Sequence, residues 1–237
     1  MTHRPRSPHP GGILVVDKPA GISSMRAVEM VRRGMGGLRT GHAGTLDPLA
    51  TGVLVIAVGA ATRGIAALMD LEKRYETEID LSATTATLDR ESERVEVPRS
   101  APPPTADAVA LAVAKFVGHY AQVPPAFSAK SIKGRRAYDI ARSGETVTLA
   151  PRPVTVHEIA VLRYEWPLVR LDIRCDKGFY VRSLAHDLGT ALGGGGHCAS
   201  IRRTAVGPYT IDQAITLVQE ALPNPAQLLP WRRADGH

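Results

Sequence analysis

An apolar run at 53–58, Val-Leu-Val-Ile-Ala-Val, follows directly on a glycine-rich stretch and reads as a strand buried on both faces. Residues 13–16, Ile-Leu-Val-Val, read as a second short strand. Ser23 or Ser24 then caps a helix running to about Arg33, which Gly34, Gly36 and Gly37 end. A second helix is expected over 62–69. From Lys73 to Leu81 the alternation is strict: Tyr75, Thr77, Ile79 and Leu81 share one face, and Glu76, Glu78 and Asp80 share the other. Tyr75 is thereby directed inward.

Residues 98–104 form a proline-rich connection, after which Thr105 opens an alanine-rich helix with Val109, Ala112, Val113 and Phe116 on helical spacing. Residues 122–129 read as an extended loop, and 135–142 as a further helix that stops at Gly144. Paired strands are expected over 154–162 and 168–175, with Asp176-Lys177-Gly178 as a turn before the last helix. That helix carries Val181, Leu184, Ala185 and Leu188 on its core face and has Gly189 at its end, and 193–196, four glycines, read as a flexible turn. Arg182 in its first turn opposes the helix dipole, at a cost of about a few tenths of a kcal/mol if exposed. Broken local rules of this kind tend to mark functional positions, although a surface arginine with an acidic neighbour gives the same pattern.

Composition narrows the class. The chain has 237 residues, 44% of them hydrophobic, enough to bury a sizeable core as one large domain or two small ones. No apolar stretch is long enough to span a bilayer, and residues 1–10 are basic and proline-rich instead of resembling a signal peptide. A cytoplasmic protein with a loose N-terminal tail is expected. Cys175 and Cys198 are too few and too far apart for a zinc knuckle or a disulfide framework, so no metal site is expected. A net charge of +6 and a pI near 9.6 favour a polyanionic partner without identifying it. Lys130, Lys133, Arg135, Arg136 and Arg142 cluster around Tyr138, suited either to RNA phosphates or to a solvated helix face.

The candidate chemistry sits in residues 41–52, Gly-His-Ala-Gly-Thr-Leu-Asp-Pro-Leu-Ala-Thr-Gly. Glycines before Asp47 and Pro48 after it make a shaped loop. Read alone, Asp47 is either the N-cap of a short turn with Pro48 as its first residue, or a nucleophile presented beside the buried strand.

The whole string resembles the catalytic motif of the TruB family of transfer-RNA pseudouridine synthases, Gly-His-x-Gly-x-Leu-Asp-Pro-x-Ala-x-Gly, with every specified position present. Residues 12–24, which include Lys18-Pro19, resemble the family's opening motif, and the likeness continues almost to Ala214, about nine tenths of the chain. The resemblance implies an α+β pseudouridine-synthase fold: a curved mixed sheet flanked by helices, with residues 11–214 as catalytic domain and an RNA-gripping insertion over 99–150. It implies isomerisation of uridine to pseudouridine in the T-loop of transfer RNA, at position 55, with no cofactor and no obligate protein partner. The T-arm of transfer RNA is the expected partner.

By the same likeness Asp47 is the nucleophile. Arg182, within Gly178-Phe179-Tyr180-Val181-Arg182, is its cationic partner, since an adjacent arginine orients a carboxylate and favours its ionised form. Tyr75 is the active-site tyrosine, for stacking on uracil and for proton transfer. His42 meets RNA beside the flipped nucleotide, while Tyr180 and Ile201 line the nucleotide pocket. Asp47, Tyr75 and Arg182 are expected to converge on one cleft. Lys18 supports the loop or binds a phosphate. The chain departs from the family at Ser82 and Ser92, where glycine is usual, and at Ser131, where lysine is usual, one place beyond the RNA-backbone candidate Lys130. Residues 215–237 are expected to be a short tail, with no further RNA-binding module.

Three competing readings follow from the residues. A non-catalytic RNA-binding or RNA-folding protein would use the same basic and aromatic groups. A phosphate-binding enzyme would need a Gly-Lys-Ser/Thr ending that the glycine loop lacks. A Ser183-His186-Asp187 hydrolase site has the spacing of an ordinary helix face.

Overall fold

The computed structural model describes residues 11–127, 131–132, 135–136, 149–218 and 222–231. Two compact units are present, Met1–Lys73 with Arg202–His237, and Arg74–Ile201.

The first unit opens on β1 (Gly11–Lys18) and α1 (Ser24–Gly34), whose N-cap is Ser23: its side chain accepts the Arg26 N–H. Strands β2 (Thr40–His42) and β3 (Thr51–Gly59) follow, then a 3-10 turn (Ala60–Gly64) and α2 (Ile65–Asp70). All six residues of the 53–58 run are fully buried, as their unbroken hydrophobicity requires. Ile13, Val15, Val53, Val55 and Ala57 form one core with Leu68 and Val206, while Ala27, Val28, Met30 and Val31 bury the inner face of α1.

The second unit contains β4 (Lys73–Asp80), which starts at its boundary, a small ladder of β5 (Ala83–Thr84) with β6 (Val95–Glu96), and α3 (Ala106–Ala114), capped by Thr105. Strand β7 (Gly118–Gln122) follows, then β8 (Ser131–Ile132) paired with β9 (Arg135–Arg136), and the long hairpin of β10 (Arg152–Glu165) with β11 (Leu168–Cys175). Helix α4 (Val181–Ala191) leads into β12 (His197–Val206), the strand on which the chain passes back to the first unit. Within the second unit the strand order is β12-β4-β11-β10-β7.

In the first unit β13 (Tyr209–Thr210) and β14 (Ile215–Thr216) complete the order β14-β1-β3-β12, with β2 on β3 and β13 on β12. That sheet is mixed: β1 and β3 are antiparallel, whereas β12 runs parallel to β3 and β14 parallel to β1. Among the described residues no helix is long and apolar enough to cross a membrane.

Four local expectations are corrected. Arg135 and Arg136 belong to a strand that starts three residues after Ile132 in sequence, and the rest of the expected 135–142 helix lies outside the described residues. Gln122 ends β7 and does not begin a loop. Gly189 lies inside α4, where a Cβ would come within 1.9 Å of the Gly195 carbonyl oxygen, and a Cβ on Gly196 would meet the Ala185 oxygen equally closely. Gly194, Gly195 and Gly196 are thus a close-packed backbone crossing, while Gly193, at φ +68° and with open space around it, supplies the left-handed residue after the helix. Beyond Ala214, the Ile13 and Leu229 backbones exchange two hydrogen bonds and Trp231 packs against Gly64, so the described part of the tail is a strap on the first core.

Candidate active site

Asp47 stands half-buried in a loop whose backbone is tied down on several sides, all within the first unit. The Ser24 hydroxyl, 2% exposed, donates to the Leu46 carbonyl at 2.9 Å and accepts the Leu46 N–H at 2.8 Å. The Lys18 side chain is fully buried, and its ammonium donates to the carbonyls of Pro19 (2.8 Å), Ile22 (2.8 Å) and Pro48 (3.2 Å). The Gly21 N–H also donates to Pro48 O, at 2.8 Å, and the Ala50 N–H closes a turn onto Asp47 O at 3.1 Å. Of the two roles expected for Lys18, the buried contacts favour support of the loop, since a fully buried ammonium has no surface to offer a phosphate.

Arg203 completes the brace. Its side chain is 1% exposed and donates from Nε to Val53 O (2.7 Å), from Nη2 to Gly44 O (3.1 Å) and from Nη1 to Thr45 O (3.5 Å). A buried guanidinium is stable only with such partners, so the strand β12 that carries it and the loop specify each other. Gly52, opposite Arg203 in the β3–β12 ladder, has φ +98°, and a Cβ there would lie 2.2 Å from the Arg203 carbonyl oxygen. His42, at the end of β2, is held below its ordinary pKa by burial first and by the Arg203 charge second, against a weaker opposing backbone hydrogen bond at Gly44. A neutral imidazole therefore stands two residues before the loop's left-handed Gly44.

The second unit holds Tyr75, Tyr180, Arg182 and Ile201. Tyr75 is half-buried on β4, on the face of buried Thr77 and Ile79 as the alternation requires. Tyr180 is half-buried, and Ile201 is buried in β12. Arg182 is only 4% exposed, which excludes the surface-arginine reading. Its Nη1 donates to Thr87 O at 2.9 Å and Nη2 to Phe127 O at 2.8 Å, and Nη1 lies 3.5 Å from the Asp89 carboxylate. These acceptors offset both desolvation and the unfavourable end of the helix dipole.

Asp89 is itself 1% exposed. Its Oδ1 accepts from Thr87 Oγ1 (2.5 Å) and the Glu91 N–H (2.9 Å), leaving Oδ2 turned to Arg182. Leu88 adopts φ +59°, a costly conformation for leucine, and is fixed there by its N–H to Thr85 O and by the Cys198 N–H to its own carbonyl. The serines in place of glycine are also accounted for. Ser82 donates from N–H and hydroxyl to Asp80, and Ser92 accepts the Thr87 N–H, with neither at positive φ.

Ser183 donates to Val123 O at 2.7 Å and His186 is exposed, so the Ser183-His186-Asp187 segment is an ordinary helix face. Arg135 and Arg136 are described only as strand β9, and Lys130, Lys133 and Arg142 lie outside the described residues. Sequence reasoning offered Ser24 only as an alternative cap for α1, a place Ser23 takes, and gave no role to Asp89, Gln122 or Arg203. Ser24, Gln122 and Arg203 work through backbone groups distant in sequence and Asp89 faces the Arg182 side chain, and of the four Ser24, Asp89 and Arg203 lay in segments already matched to the family.

Residues 32–181 match the N-terminal domain of the TruB family pseudouridylate synthases. The chain belongs to that family. Residues 182–222 match the tRNA pseudouridylate synthase B C-terminal domain. A relative from Thermobifida fusca (strain YX), named tRNA pseudouridine synthase B, is 49% identical over 214 residues, covering 87% of this chain and 73% of its own. One of the same name from Ruegeria pomeroyi (strain ATCC 700808 / DSM 15171 / DSS-3) is 46% identical over 224 residues, covering 94% and 73%. Among solved structures, a chain of a Cbf5-Nop10-Gar1 complex is 30% identical with a TM-score of 0.67, covering 87% of this chain and 52% of that one. A chain of an H/ACA RNP bound to a substrate RNA containing 2'-deoxyuridine is 28% identical with a TM-score of 0.64, covering 86% and 50%. This TruB-family chain thus spans about half the length of those two solved chains. The α+β pseudouridine-synthase fold is that of these neighbours.

Proposed function

We propose that this chain isomerises uridine to pseudouridine in transfer RNA, with position 55 of the T-loop as its target and the T-arm as its partner. The observation that carries the reading is the braced 41–52 loop: family membership gives the reaction, and Lys18, Ser24 and Arg203 give Asp47 a backbone held in advance of substrate binding.

The reaction breaks the bond from ribose C1′ to uracil N1, turns the base and forms C1′–C5. The C5 proton is lost and N1 gains one, so the change is an isomerisation with no net redox step. Asp47 serves as the nucleophile, which attacks and leaves reversibly, and an anionic carboxylate needs no separate base to do so. Arg182 supplies the cation that favours this anionic form, and Tyr75 supports the uracil. The uridine must leave its stack before a carboxylate can reach it, with His42, Tyr180 and Ile201 receiving or replacing it. Neutral His42 suits contact with a base or ribose better than with a phosphate. Lys130, Lys133, Arg135, Arg136 and Arg142 are the candidates for the RNA backbone. The cytoplasm, where transfer RNA is processed, is the proposed location.

The non-catalytic RNA-binding reading is not favoured by family membership. Incubating the pure protein with an unmodified transfer-RNA transcript and mapping pseudouridine tests the proposal. Product at position 55 supports it, and an unmodified transcript that nevertheless binds overturns it in favour of the non-catalytic reading.

A further inference from the structure

Gln122, on the last position of β7, is a neutral amide 1% exposed to solvent, and it grips one residue by both backbone groups. Its Oε1 accepts the Tyr180 N–H at 2.9 Å, and its Nε2 donates to the Tyr180 carbonyl at 3.1 Å. That carbonyl also accepts the first intrahelical bond of α4, from Leu184 at 3.2 Å. Tyr180 is the N-cap of α4 and provides no side-chain cap of its own, so the angle at which the helix starts is set from outside by Gln122.

The amide cannot turn over without loss. Nε2 also donates to the Tyr120 hydroxyl oxygen at 3.2 Å, so a flipped amide would set its oxygen against the Tyr180 carbonyl and its NH₂ against the Tyr180 N–H. Burial chiefly, and the nearby Asp187 charge next, push the Tyr120 phenol well above its ordinary pKa, which keeps its oxygen a neutral acceptor. The contact continues along the same segment: Ser183 donates to Val123 O and Arg182 to Phe127 O. One stretch of chain, Gln122 to Phe127, therefore sets the start of α4 and carries an acceptor for the arginine proposed to serve Asp47.

We infer that Gln122 is a positioning residue for the isomerisation, an inference that rests on the reading under Proposed function: it acts through Tyr180 and Arg182, and touches neither substrate nor reacting atoms. Its two bonds to one residue, on the peptide units either side of the Tyr180 Cα, fix where Tyr180 meets the nucleotide and where the Arg182 guanidinium points. A residue of this kind affects turnover more than RNA binding.

The test compares Gln122→Met and Gln122→Glu with the wild type, by single-turnover pseudouridine formation and by transfer-RNA binding. Gln122→Met keeps the volume and removes both bonds, and its rate should fall about 10²-fold, the usual consequence of displacing a reacting geometry by about 1 Å, with Kd within about twofold. Gln122→Glu presents a carboxylate to the Tyr180 carbonyl at neutral pH and should be similarly slow. Once protonated, its C=O accepts the Tyr180 N–H and its O–H donates to the carbonyl, so its rate relative to wild type should recover as pH falls from about 7.5 to about 5.5, burial raising the carboxyl's pKa into that window. Tyr120, Tyr180 and Asp187 surround the site in both proteins, so the wild-type profile is the control. A wild-type rate in Gln122→Met, an equal loss of rate and affinity, or a Gln122→Glu profile parallel to wild type overturns the role. Should Gln122→Met not fold, the Gln122→Glu profile decides. A wild type that makes no pseudouridine refutes the isomerase reading instead.

Discussion

Ser24 and Leu46 are joined through both backbone groups of Leu46, at 2.8 Å and 2.9 Å, by a single buried hydroxyl 22 residues away in sequence. Leu46 immediately precedes Asp47. Replacing Ser24 by Ala strands a buried N–H and a buried carbonyl, each worth about 1–3 kcal/mol when unsatisfied, and loosens the loop. Chemical denaturation should show a loss of that order, and turnover should fall further than stability alone explains. Ser24→Thr retains the hydroxyl and should recover part of both.

Lys18→Met tests which of the two expected roles the ammonium fills. The three carbonyls it serves lie in and beneath the loop, so turnover should drop at least about 10-fold if the loop shifts by a fraction of an ångström. Transfer-RNA affinity measured against salt should keep its slope. A slope reduced by about one unit would show that Lys18 neutralises a phosphate after all.

Breaking the Asp89–Arg182 pair by Asp89→Asn puts an uncharged amide beside a buried guanidinium. Removing one partner of a buried pair typically costs about 3–5 kcal/mol, and the 3.5 Å separation places this one toward the lower end. Thermal denaturation should register the loss, and pseudouridine formation should fall with it. Arg182→Lys keeps the charge but cannot reach the Thr87 and Phe127 carbonyls and Asp89 at once, so it should rescue little.

His42 links stability to pH. Burial holds its folded-state pKa below the ordinary histidine value of 6.5, so the folded protein binds this proton less readily than the unfolded chain. The contribution is fully present above about pH 6.5 and is lost as pH falls through the interval down to the lowered folded value. His42→Gln should flatten that part of the stability profile. Equal pH dependence in wild type and variant would show that His42 does not titrate differently in the two states.

The elements written in local chemistry were legible: Ser23 and Thr105 as caps, the 53–58 run as a doubly buried strand, and the alternation that faces Tyr75 with Thr77 and Ile79. Three kinds of feature were not. Gln122 was placed in a loop because Pro124 and Pro125 follow it, and its strand exists only through pairing with Arg152 thirty residues later. The glycines at 189 and 193–196 suggested an end and a flexible turn, since nothing local shows that another backbone passes within van der Waals contact. Arg203 carried no signal of its own. Its role depends on a parallel pairing with β3 across 150 residues of chain. In the candidate site, the motif proposes Asp47 and Arg182, while the groups around them reach across the chain, Lys18, Ser24 and Arg203 to distant backbone and Asp89 to Arg182, which no short spacing encodes.

Asp47→Asn is the most direct measurement. The amide matches the carboxylate in shape, so the loop and transfer-RNA binding should be preserved while pseudouridine formation under single-turnover conditions falls to background. Product formed by Asp47→Asn at the wild-type rate would contradict the nucleophilic role on which the proposed mechanism stands.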